Sequence, residues 1–244
     1  MPKKKQTHPA SASHPHKKEP SWTGATGLFG GKTSTENINW RIFRIMAEFV
    51  EGFEFLSKLK DSVTFFGSAR ATAANRYYHV AKDLAQLCGK SGLTVITGGG
   101  PGIMEAANWG AYEAGGDSVG LDISLPMEQR RNQYVKHWMG FHYFFTRKVM
   151  LSASAQAYVF FPGGFGTLDE MFEIVTLIQT GKMSDEVPVI LVGRAFWEPM
   201  IKWAKEQLWE ENRFIERDDI QIMQVVDTAE QAFAIIKKTS KRVL

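Results

Sequence analysis

Residues 93–102, LTVITGGGPG, and residues 157–167, AYVFFPGGFGT, decide the fold of this chain. Each joins a short apolar run, rich in β-branched or aromatic residues, to a glycine cluster, and a helical pattern follows. Runs without polar alternation are strands covered on both faces, and a helix after each strand marks a parallel sheet. The same unit recurs outward in both directions. VTFF at 63–66 precedes a helix near 75–90, and LTVIT precedes one near 102–114. SVGLDI at 118–123 and FHYFF at 141–145 are expected as strands, with a helix near 147–155 after the second. AYVFF at 157–161 precedes a helix at 168–180, VPVILV at 187–192 one near 196–209, and IMQVV at 222–226 one at about 228–238. The expected fold is α/β: a single Rossmann-like domain whose doubly wound parallel sheet carries helices on both faces.

Before the first strand, Ile42, Phe43, Ile45, Met46, Phe49, Phe53 and Leu56 recur at steps of three and four. They predict an amphipathic helical extension within 36–60, packed on the main domain or on a partner subunit. Residues 1–35 differ in kind. Four of the nine prolines and five lysines against one acid, Glu19, fall in the first twenty positions, with no apolar periodicity to bury. This segment reads as a disordered basic tail, and 36–244 as the folded domain. The tail accounts for +4, so a total of +3 leaves −1 for the remainder, which argues against a basic nucleic-acid face. His8, His14 and His16 lie in the tail without fixed geometry, and no His or carboxylate pair has metal spacing, so no metal or other cofactor is expected.

The 244 residues, 44% hydrophobic and 23% charged, suit one globular core. The single cysteine, Cys88, lies in an apolar helical stretch and reads as a small buried hydrophobe, consistent with a reducing cytoplasm. No apolar run approaches the roughly 18 residues of a membrane span, and the first thirty residues lack a signal-peptide core. GATGLFGGKTS has Thr26 where a nucleoside-triphosphate loop needs glycine and no strand before it, so that reading fails.

In such sheets ligands bind beyond the carboxyl ends of the strands, so the junctions are read together. They are Gly67-Ser68-Ala69-Arg70, Gly98-Gly99-Gly100-Pro101-Gly102, Thr146-Arg147-Lys148, and Pro162-Gly163-Gly164-Phe165-Gly166-Thr167. Glycines between strand and helix let backbone amides approach an anion at a helix N-terminus. Either glycine loop alone serves equally as a tight turn. Both at one sheet edge, with Arg70 and Arg147 at neighbouring junctions, point to a phosphate. The spacing is not G-x-G-x-x-G, which disfavours a nicotinamide cofactor.

The runs Gly98-Gly99-Gly100-Pro101-Gly102-Ile103-Met104-Glu105-Ala106-Ala107-Asn108, Arg147-Lys148-Val149-Met150 and Pro162-Gly163-Gly164-Phe165-Gly166-Thr167-Leu168-Asp169-Glu170 resemble the Lonely Guy family. These are cytokinin riboside monophosphate phosphoribohydrolases, once mislabelled lysine decarboxylases. The similarity runs from about Val63 to Val192. FEIVTLIQTGKM, the GSAR turn and the terminal extensions resemble the longer bacterial branch. The resemblance implies hydrolysis of the N-glycosidic bond of a nucleoside 5'-monophosphate, such as AMP or a cytokinin riboside monophosphate. It also implies a homo-oligomer, at least a dimer, with the helices near 147–155 and 168–180 close to the contact.

That reaction develops oxocarbenium charge on the ribose, which a nearby carboxylate stabilises while orienting water. The resemblance assigns this role to Glu170, together with Arg147, with Lys148 as an auxiliary. Thr167-Leu168-Asp169-Glu170 is equally a capping box, in which Glu170 closes a helix start. Thr167 and the amides of Gly163, Gly164 and Gly166 form the expected phosphate cradle, with Ser68 and Arg70 as second candidates. Gly67, Gly99 and Gly100 join the substrate-binding set, and Glu105 is a ribose ligand or simply a favourable acid in a first helical turn. Asn132 and Tyr134 sit in a loop placed to cover a base but read rather as an exposed loop, and Trp197, Trp203 and Trp209 read as packing residues rather than a stacking platform. Two rivals remain. Pyridoxal-dependent decarboxylation needs a Schiff-base lysine that the sequence does not single out. A nucleotide or molybdopterin carrier of the same fold needs the phosphate loops but not Glu170.

Overall fold

The apolar runs build an all-parallel seven-stranded sheet in the computed structural model, which describes residues 38–59, 61–123 and 131–240. The expected tail, 1–35, lies outside the described residues. In chain order the strands are β1 Ser62–Phe66, β2 Thr94–Thr97, β3 Ser118–Ile123, β4 His137–Phe141, β5 Ala157–Phe160, β6 Val189–Val192 and β7 Met223–Val226. The helices are α1 Ile38–Ser57, α2 Arg76–Lys90, α3 Ile103–Glu113, α4 Phe144–Ser152, α5 Phe165–Gln179, α6 Arg194–Trp203 and α7 Ala229–Ile236.

The sheet order is β4-β3-β2-β1-β5-β6-β7, with β1 paired in parallel to both β2 and β5. The chain winds outward from β1 to β4, then returns to lay β5 on the free side of β1. The order therefore reverses between β1 and β5, which opens the crevice where doubly wound sheets bind ligands.

Strand residues alternate between two cores. Val63, Phe65, Val95, Val159 and Ile190 pack with α2, α3 and α7, whereas Phe66, Ile96, Tyr158, Phe160 and Leu191 pack with α4, α5 and Trp197. Cys88 is fully buried in the first core, and burial pushes its thiol up to about 12, so it behaves as a hydrophobe. Trp197 is fully buried and its indole N–H donates to the Val192 carbonyl at 3.2 Å. No described helix is long and apolar enough to cross a membrane.

One expected strand is misplaced. FHYFF is not a strand: β4 is HWMGF, and Phe144 already opens α4. β4 lies at the sheet edge, and four of its five residues are at least partly exposed, so it lacks the two-sided apolar run of the inner strands.

The N-terminal extension is helical, as its periodicity predicts, and it contributes more than apolar packing. α4 has no side-chain cap of its own. Glu48 on α1 supplies one from outside: its carboxylate accepts from the His142 N–H at 2.7 Å, the Tyr143 N–H at 3.3 Å and the Thr146 hydroxyl at 2.5 Å. An anion at this end also complements the helix dipole. Glu48→Ala, which removes the acceptor from the His142 and Tyr143 amides and leaves the Thr146 hydroxyl only the Tyr143 carbonyl, is expected to destabilise the fold by about 2 kcal/mol. Glu48→Gln, whose amide oxygen still accepts, should lose less. Urea midpoints measure both, and an unchanged midpoint for Glu48→Ala would show that the cap is dispensable.

Candidate active site

A cavity of about 900 Å³ opens at the β1/β5 reversal. Gly67, Ser68 and Arg70 line it after β1, Arg147 lines it from α4, and Gly163, Gly164, Gly166, Thr167 and Glu170 line it from the β5–α5 junction. Met104, Phe144, Phe165 and Phe196 add apolar surface that the sequence reading did not single out. Gly99, Gly100, Glu105 and Lys148 are not among the lining residues.

Backbone hydrogen bonds tie the loops together. The Ser68 N–H donates to the Pro162 carbonyl at 3.1 Å, and the Ile103 N–H donates to the Ser68 carbonyl at 3.1 Å. Gly102, the residue before α3, has φ of 74°, and a side chain there would strike the backbone of Ser68 and Ala69. At Gly163 an added methyl would strike the Thr167 side chain, so glycine lets this loop fold onto the start of α5. Ser68 Oγ accepts the Arg70 N–H at 3.1 Å, which shapes the turn after β1.

The triple-glycine loop is held from beneath. Thr97 Oγ1 accepts the Gly99 N–H at 2.9 Å and donates to Asn108 Oδ1 at 2.7 Å. Asn132 Nδ2 lies within 2.9 Å of the same Asn108 oxygen, 3.1 Å of the Gly99 carbonyl and 3.0 Å of the Gly100 carbonyl. Asn132 is therefore a strut rather than the free loop residue expected above. Tyr134 stacks on Trp109 with centroids 5.3 Å apart, which is packing.

The capping-box alternative for Glu170 fails. α5 begins at Phe165 with Gly164 as its cap, so Thr167 lies inside the first turn and Glu170 in the second. Glu170 instead faces inward and is 6% exposed. Burial pushes its carboxyl up to about 7; Lys148 and Arg147 pull it down, while Glu173 and Asp169 push it further up. A carboxyl poised near neutrality in a cavity wall can exchange a proton with water or ligand.

Arg147 lies in the first turn of α4, where its charge opposes the helix dipole. Its Nε–H donates to the Leu121 carbonyl at 2.7 Å, and an added methyl at Gly98 would strike the guanidinium. Burial holds this guanidinium below its ordinary value, against the pull of Glu170 and Asp122. Lys148, about 100° around the helix from Arg147, faces α5 instead of the cavity. There it meets Asp169 at 2.6 Å, Glu173 at 2.9 Å and Glu170 at 3.7 Å.

The family model described as possible lysine decarboxylase matches residues 104–236. The chain is 26% identical over 180 residues to the cytokinin riboside 5'-monophosphate phosphoribohydrolase LOG of Oryza sativa subsp. japonica, an alignment that covers 72% of each protein. It is 25% identical over 149 residues to a cytokinin riboside 5'-monophosphate phosphoribohydrolase of the bacterium Rhodococcoides fascians, covering 59% of this chain and 74% of that protein. Among solved structures, the molybdenum cofactor carrier protein of Chlamydomonas reinhardtii superposes with a TM-score of 0.55 at 22% identity, over 73% of this chain and 97% of that one, a likeness of fold. A match over more than half of its length makes this chain a member of the lysine-decarboxylase-like family, the Lonely Guy family.

Proposed function

We propose that the protein hydrolyses the N-glycosidic bond of a nucleoside 5'-monophosphate, AMP or a cytokinin riboside monophosphate, releasing the free base and ribose 5-phosphate. The observation that carries this reading is the buried carboxyl of Glu170 in the wall of a cavity that it shares with Arg147 and two glycine loops. The amides of Gly163, Gly164 and Gly166 and the hydroxyl of Thr167, at the positive end of α5, receive the phosphate, with Ser68 and Arg70 across the crevice. Arg147 adds a fixed positive charge on the ribose-phosphate side. Glu170, as carboxylate, supports the oxocarbenium charge as the carbon–nitrogen bond breaks and takes a proton from the attacking water. Hydroxide adds to the anomeric carbon, the electron pair of the broken carbon–nitrogen bond leaves on the base, and the base recovers the proton that Glu170 took from water, which restores the carboxylate. The two named relatives support this activity.

The carrier reading rests on the fold likeness. It gives no role to a carboxylate in the wall of an anion site, whereas hydrolysis supplies a developing positive charge for that carboxylate to stabilise. Pyridoxal chemistry is not supported: the described lining of the cavity has no lysine to form an imine. Incubating the protein with AMP and separating adenine from ribose 5-phosphate tests the enzyme reading against the carrier.

The same reading makes the protein a homo-oligomer of at least two chains. Trp40, Phe43, Met46, Val50 and Phe53 leave an exposed apolar stripe along α1, and Phe144, Val149 and Phe172 expose further apolar surface on α4 and α5. Light scattering at micromolar concentration is expected to give a mass at least twice 27.5 kDa. A monomer mass would refute the oligomer.

A further inference from the structure

Lys148 is the one residue of the arginine–lysine pair that does not line the cavity, yet it is heavily engaged. Its side chain is 18% exposed, and its ammonium stands among three carboxylates of α5. Two of these hold it: Asp169 Oδ2 at 2.6 Å and Glu173 Oε2 at 2.9 Å. The third, Glu170 Oε2, is 3.7 Å away and is the most buried of the three, with a side chain 7% exposed against 25% for Glu173 and 54% for Asp169. Burial alone would lower the lysine, but hydrogen bonds to Asp169 and Glu173 hold it above its ordinary value, so it stays cationic.

We propose that Lys148 is a positioning residue, which Asp169 and Glu173 hold in place so that its charge keeps Glu170 ionised, and that it does not touch the substrate. This rests on the reading of Glu170 as the catalytic carboxylate. The other charged groups around Glu170 are few. From α4, Arg147 also favours its charged form, and Asp122 of β3 acts on that arginine. From its own helix, Glu173 and Asp169 oppose it. Against the rest of α5, β6 is the uncharged run VILV, and in the short turn Asp218–Ile222 Asp219 meets Gln179 at the far end of the helix. Among these groups Lys148 is the strongest pull towards the charged form, ahead of Arg147. Lys148 and Glu173 thus act on Glu170 with opposite sign while forming one ion pair with each other. A merely structural bridge predicts that losing either partner has the same consequence. A positioning role predicts opposite ones.

The test reads the Glu170 titration in two ways on the full chain. The first is the carbon-13 carboxyl resonance of glutamate-labelled protein, assigned by its loss in Glu170→Gln. The second is the acidic limb of kcat/KM for AMP. In Lys148→Met both should move up by about one pH unit or more, the size expected when an opposite charge within 4–6 Å is removed. In Glu173→Gln, whose amide oxygen still accepts from the Lys148 ammonium while the opposing charge is gone, both should move down, and Lys148→Arg should restore the parent values. A resonance that titrates unchanged in Lys148→Met overturns the proposal, as does a raised KM for AMP with an unmoved limb, the signature of a substrate ligand. Opposite shifts of the resonance with no AMP hydrolysis would sustain the coupling and reject the hydrolase reading instead, so the two failures are distinct.

Discussion

Glu170→Gln is expected to bind AMP nearly as well as the parent while hydrolysing it some 10²- to 10⁴-fold more slowly, the range associated with loss of a positioned acid–base group. Glutamine keeps the shape and cannot carry the charge that the transition state calls for, so the loss falls on kcat rather than on binding. The same substitution should alter stability in the opposite direction. Burial raises the Glu170 carboxyl from 4.5 to about 7, so the folded chain holds this proton more tightly than the unfolded chain does. The resulting penalty is absent below pH 4.5, grows as pH rises, and is complete above about 7. At roughly 1.4 kcal/mol per pH unit it reaches about 3 kcal/mol. Glu170→Gln should therefore melt roughly 5–10 °C above the parent at pH 8, with the gap closing towards pH 4. A variant that still turns over within a few fold of the parent, or that melts lower at pH 8, would remove Glu170 from the role assigned to it.

Arg147→Ala should be the next most damaging change. Its partner in the proposed complex is an anion, so affinity for AMP is expected to fall about 10- to 100-fold while affinity for adenosine barely changes. Turnover should fall as well, because Arg147 also pulls Glu170 towards its charged form, and the acidic limb of the pH profile should rise. Competition binding with the two ligands decides it: equal losses for both would place Arg147 away from the phosphate.

Much of this architecture can be read from residues alone because the inner strands are buried on both faces. VTFF, LTVIT, AYVFF and VPVILV have no polar alternation, and each becomes an inner strand. β4 was hidden for the converse reason. As an edge strand it carries His137 and Trp138 outward, while the aromatic run after it closes the strand, turns and starts a helix. The glycine loops stand out by their position between strand and helix, whereas Glu170 is singled out only by the family resemblance, since Thr167-Leu168-Asp169-Glu170 reads as a capping box until Gly164 caps α5 three residues before Thr167. Asn132 and Glu48 left no local signal. Each acts on groups far away in sequence, the carbonyls of Gly99 and Gly100 for one and the start of α4 for the other. Lys148 follows Arg147 in sequence and shares its charge, and only the turn of the helix between them separates a cavity residue from one paired with the carboxylates of α5.

On the proposed function, this cavity breaks a glycosidic bond and does not merely hold a nucleotide. Mixing purified protein with excess AMP and following free adenine and ribose 5-phosphate by chromatography tests it most directly. Both products are expected in equal amounts over many turnovers, and Glu170→Gln is expected to release neither at a comparable rate. Recovery of intact AMP from a stable complex with the parent protein would contradict it.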